Sequence, residues 1–169
     1  MITLFPPVSI RHQDLEKKPV YNVVIIYENT VTGKRANHFC ENLMRELDGT
    51  TLGIKDLWSF KVLDIPHVRR SAVEAAAMAD VVILALDGHA ELPDGIKTWM
   101  EQWAGPEAAR TVDQSPILIA LFGTSDDKHK AVASTRAFLG ALAETAGLAF
   151  LHTQGQALVK DRPPARPVF

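Results

Sequence analysis

The stretch Glu28-Asn29-Thr30-Val31-Thr32-Gly33-Lys34 gathers an amide, two hydroxyls and a flexible glycine just ahead of an amphipathic run. At a helix N-terminus, unpaired backbone N–H groups and the helix dipole favour an anion. This composition therefore suits a phosphate, with Lys34 and Arg35 adding positive charge. The same residues also suit a plainer role, in which Thr32 is an N-cap and both cations are solvated. The spacing is not that of a Walker A loop, which needs G-x-x-x-x-G-K-[ST]. Two further stretches set small polar groups after apolar runs: residues 87–93, opening on Asp87, Gly88 and His89, and residues 123–127, opening on Gly123, Thr124 and Ser125.

Other chemistry finds little footing. Ser125, Asp126, Asp127 and His129 bring acids and an imidazole together, but no G-x-S-x-G elbow accompanies them. The six histidines show neither HExxH nor another paired ligand spacing, so a metal enzyme is not indicated. Cys40 is the single cysteine and falls on the apolar stripe of a helix, which reads as a small buried hydrophobe.

The loops need elements to hold them. Residues 21–27, YNVVIIY, form a short apolar run of the kind buried on both faces of a parallel sheet. Phe39, Cys40, Leu43, Met44 and Leu47 then recur at helical steps from Ala36. Gly49 and Gly53 mark a break before a second strand over residues 57–65, followed by an alanine-rich helix over 68–78. Residues 80–86 carry the strongest buried-strand signal. Pro93 and Gly95 open a helix with Ile96, Trp99, Met100 and Trp103 on one face. A fourth strand over 116–122, a helix over about 130–146 and a fifth strand over 148–151 complete the series.

Strands alternating with helices predict βαβ units and a parallel sheet, in which ligands bind outside the carboxyl ends of the strands where the order reverses. The predicted fold is α/β, a flavodoxin-like αβα sandwich of five parallel strands in the order 2-1-3-4-5. The loops after the first, third and fourth strands should share one mouth. Residues 1–20 read as an extended proline-bearing arm, 21–153 as the domain and 154–169 as an irregular tail. With 169 residues, 47% hydrophobic and 22% charged, one globular domain is expected. A net charge of −2 points to neither nucleic acid nor a membrane surface as partner. No apolar run is long enough to span a bilayer and no signal peptide opens the chain, so a cytoplasmic location is expected.

GHAELPDGIKTWMEQW, residues 88–103, resembles a segment of the flavodoxin-like NAD(P)H-dependent FMN reductases. There a strand ends in a Pro-x-Tyr-Asn-type loop, and a Pro-Gly-x-Leu-Lys-x-x-x-Asp-x-Leu/Trp helix start follows, similar to Pro93, Gly95, Ile96, Lys97, Glu101 and Trp103. ENTVTGKRANHF likewise resembles the flavodoxin phosphate loop, and ILIALFGTSDD the family's fourth strand with its Gly-Thr-Ser turn. The resemblance spans roughly residues 20–152. It implies FMN held by Asn29, Thr30, Thr32, Gly33, Lys34, Asp87, Gly88, His89, Gly123, Thr124 and Ser125, with NAD(P)H as electron donor and hydride passing through the flavin.

Two departures stand out. The loop Asp87-Gly88-His89-Ala90 lacks the family's aromatic residue, and Asp87 would oppose negative charge on a reduced flavin. Receiver domains share the topology and place a phosphorylated aspartate where Asp87 stands. Here, however, Asn29 replaces the second acid of their metal pair, and the fifth strand is followed by His152-Thr153-Gln154 with no lysine among them. A flavodoxin- or receiver-like module that has lost its ligand and acts by association is the alternative reading. The Trp99, Met100 and Trp103 stripe fits either burial against the sheet or a homodimer face, and a homodimer is expected from it and the two proline-rich arms.

Overall fold

The computed structural model describes residues 20–46, 51–88, 90–105, 116–123, 130–154 and 157–160. Its strands are β1 (Val20–Tyr27), β2 (Thr51–Ser59), β3 (Val81–Leu86), β4 (Ile117–Phe122), β5 (Ala149–Gln154) and β6 (Ala157–Lys160). They form one sheet in the order β2-β1-β3-β4-β5-β6. The first five strands are parallel and follow 2-1-3-4-5, so the chain has the flavodoxin-like α/β fold. The helices are α1 (Thr30–Glu46), α2 (Pro66–Ala77), α3 (Asp94–Ala104) and α4 (Lys130–Ala146).

β3 and β4 read VVILAL and ILIALF, and every one of their residues is buried, because both faces of the central sheet are covered. Alternation divides them between two cores. Val81, Ile83, Ile117, Ile119 and Leu121 meet Ala36, Phe39, Cys40 and Leu43 of α1. Val82, Leu84, Leu118 and Ala120 meet residues of α2, α3 and α4 on the opposite face. Cys40 is fully buried, and that burial pushes its thiol above the usual range, with Lys55 opposing and Glu41 adding to the shift. Gly147 ends α4 with φ 72°, where Leu148 N–H donates to the Ala143 carbonyl at 2.8 Å.

The tryptophan stripe lies wholly in the second core. Trp99, Met100 and Trp103 are each 0% exposed, the two indole rings stack with centroids 5.9 Å apart, and Trp103 Nε1 donates to the Ala76 carbonyl at 3.1 Å. Of its two readings, burial is the one realised. It offers no surface to a second copy, so the expected homodimer loses that footing.

Four sequence expectations are corrected. β2 starts at Thr51, so residues 57–59 end a strand instead of beginning one, and a 3-10 turn (Val62–Asp64) follows. Gly53, expected as a breaker, sits inside β2, where an added Cβ would lie 2.6 Å from both Asn22 Oδ1 and Val20 Cγ1. The register shifts there, between Tyr21 and Val23. Asn22 ties the irregularity together: its Oδ1 accepts from Ile54 N–H at 3.0 Å and its N–H donates to Asp80 Oδ2 at 2.8 Å.

The tail, expected as irregular, contributes β6, antiparallel to β5. Thr153 Oγ1 accepts from Phe122 N–H at 2.8 Å, and the parallel ladder's last pair is Ala120 with His152, so the end of β5 turns to a new partner. Finally, α1 begins at Thr30, ahead of the start after Thr32 that an N-cap there would have given. Apart from Val20, the N-terminal arm lies outside the described residues, as do 161–169. None of the described helices is long and apolar enough to cross a membrane.

Candidate binding site at the carboxyl ends of the strands

Backbone bonds first align the strand ends. Glu28 N–H donates to the Ala85 carbonyl at 3.0 Å, and Gly123 N–H to the Leu86 carbonyl at 2.8 Å, so the chain leaves β1, β3 and β4 side by side. Asn29, Asp87, Gly88 and Gly123 are thereby brought to one mouth.

Asn29 opens α1. Its Oδ1 accepts from Thr32 N–H at 3.0 Å, while its own N–H donates to Thr32 Oγ1 at 2.9 Å, and that hydroxyl donates in turn to the Asn29 carbonyl at 2.9 Å. This reciprocal pair is a capping box with asparagine at the cap. The N-cap reading of Thr32 is corrected by it. Asn29 is the N-cap, and Thr32 is 0% exposed, its hydroxyl donating to the Asn29 carbonyl and accepting from the Asn29 N–H. Gly33 also has a packing role, since an added Cβ would lie 3.0 Å from the Tyr27 ring. Thr30 and Lys34, by contrast, are exposed on the first turns of the helix.

Thr32→Ala is accordingly expected to remove about 0.5–2 kcal/mol of folding stability, the scale of a lost helix cap, and to leave ligand affinity at the mouth unchanged. Urea denaturation of the variant beside a ligand titration checks both halves. A loss of affinity without a loss of stability would return Thr32 to the binding surface.

Asn29 has a second bond, from Nδ2 to Asp87 Oδ2 at 2.6 Å, which crosses the crevice between β1 and β3 where the strand order reverses. Gly88, buried with φ 85°, turns the chain away from β3, and Leu92, 3% exposed, anchors the loop before α3. Gly123 is the close approach. An added Cβ there would lie 2.7 Å from Arg35 Nη1, 3.1 Å from Asp87 Cα and 3.2 Å from Asp87 Oδ1. The Arg35 guanidinium and the Asp87 carboxylate therefore both lie close over the end of β4, where a glycine leaves room for them.

Arg35 is the residue that sequence reasoning undervalued, as an added charge beside a loop. With α1 starting at Thr30, Arg35 falls in its second turn, three residues after the buried Thr32 and four before the buried Phe39, on the flank of the sheet-facing stripe. An N-cap at Thr32 would have put it in the first turn. His89, Thr124 and Ser125 lie outside the described residues. Among the described residues no group of three histidine, cysteine or acidic side chains could hold a metal.

No family model and no curated protein matches the chain. Among solved structures it is similar to the Trp repressor binding protein from Bacillus subtilis, at 13% identity over 77% of this chain and 80% of that one, with a TM-score of 0.44.

Proposed function

We propose that this protein binds a phosphate-bearing nucleotide at the mouth over β1, β3 and β4, and that FMN is its first candidate ligand. The observation that carries the reading is the meeting of Asn29, Asp87, Gly88 and Gly123 with the Arg35 cation at the strand ends where the sheet order reverses. The likeness of residues 88–103 to the FMN reductases supports the choice of flavin. When bound, a flavin would supply hydride transfer between NAD(P)H and an acceptor. The chain's own contribution is positional: Gly88 turns the chain at the mouth, Gly123 leaves room for the Arg35 guanidinium beside Asp87, and Thr30 and Lys34 stand at the rim.

The residues fit this ligand only in part, because Thr32 keeps its hydroxyl for the helix. That closed capping box favours a second reading, a flavodoxin-like module that associates with partners without a nucleotide. Titration of the purified protein with FMN, desalting and an absorbance spectrum separate the two. Retained flavin bands with a raised melting temperature are expected. A colourless protein whose melting is unmoved by FMN overturns the flavin reading.

A further inference from the structure

Arg35 Nη1 is shut off from solvent and has no hydrogen-bond partner among the described residues. Arginine keeps its charge at any ordinary pH and carries five donors in a fixed fork, so an unmet buried N–H on it is costly to retain. Asp87 does not satisfy it, although Oδ1 and Nη1 both approach Gly123 and Oδ2 accepts from Asn29 Nδ2. A residue larger than glycine at 123 would run into Nη1, and the Asn29–Asp87 bond holds the carboxylate beside it.

We infer that Arg35 is the anion-recognition residue of this mouth, taking a phosphate-type oxyanion of the ligand in the role that the Thr32 hydroxyl cannot fill. The inference deepens the proposed function by naming the group that holds the ligand's charge, and its ligand class is the phosphate monoester. Nitrogen donors in a planar fork match two oxygens of such a group, whereas a hydroxyl loop would match them singly.

The test compares wild type and Arg35→Gln against FMN, riboflavin, AMP and inorganic phosphate, using calorimetric titration and thermal melting. Wild type is expected to bind FMN more tightly than riboflavin. Arg35→Gln should lose about ten- to a hundredfold in FMN affinity while binding riboflavin as before. If neither protein binds a flavin but AMP or phosphate stabilises wild type alone, the inference stands and the flavin reading falls. Equal FMN affinity in the two proteins overturns it, as does an equal loss toward FMN and riboflavin, or no response of wild type to any of these anions. Should Arg35→Gln not fold, Arg35→Lys keeps the charge without the fork. An intermediate loss confined to the phosphate-bearing ligands is then expected, and an unchanged affinity counts against the proposal.

Discussion

Trp103→Ala is expected to destabilise the protein by about 3–5 kcal/mol, the range for removing a large aromatic residue from a packed core. The side chain is 0% exposed, stacks on Trp99 and donates its indole N–H to Ala76 on α2, so truncation opens a cavity and breaks a tie between two helices at once. Trp103→Phe separates the two effects. It keeps most of the volume and removes the hydrogen bond, at about 0.5–1.5 kcal/mol for the bond itself. The Ala76 carbonyl retains Ala79 N–H at 3.0 Å, so it is not left unpaired. Urea denaturation measures both variants. A loss under about 1 kcal/mol for Trp103→Ala would mean that the stripe is not core, and would reopen it as a face for a second copy. The loop over residues 87–93 leads into α3, so the stripe that seats this helix also steadies one wall of the mouth.

Gly123→Val should cost about 1–3 kcal/mol, the scale of forcing extra methyl groups into filled space. The new Cβ meets two different obstacles, the movable end of Arg35 at 2.7 Å and the Asp87 backbone at 3.1 Å. A guanidinium can swing aside and a strand end cannot, so the variant is expected to fold with Arg35 displaced. A double-mutant cycle with Arg35→Ala assigns the strain. If the guanidinium is the obstacle, the double variant is more stable than the sum of the singles by about 0.5–3 kcal/mol. Strict additivity would place the whole conflict at Asp87 and show that Arg35 does not fill the space over Gly123.

What the sequence disclosed follows from how strongly each element depends on its neighbours. β3 and β4 are continuous apolar runs buried on both faces, a pattern that needs no context, and α4 keeps the predicted bounds. Among the described residues β2 is flanked on one side only, and its glycine reads as a break until Asn22 and Val20 are seen pressing against it. β6 is four residues long and exists through pairing with β5, which no local pattern announces. At the mouth, Asn29, Asp87, Gly88 and Gly123 could be placed because strand ends follow from topology. The spacing Asn29-x-x-Thr32 held a capping signal that would have started α1 at the right residue, and with it the position of Arg35.

Among the described residues the same topology leaves the nine residues of β2 at an edge of the sheet, with Ile54 60% and Leu57 43% exposed. Such an edge is a template for joining two sheets into one. Across an antiparallel pair, opposed residues share a face. Two copies of β2 related by a two-fold axis at mid-strand must therefore set Lys55 against Lys55 or Asp56 against Asp56. Like charges directly opposite disfavour the pairing in either register, so the centre of the strand carries its own protection against edge-to-edge aggregation, one that salt would weaken by screening.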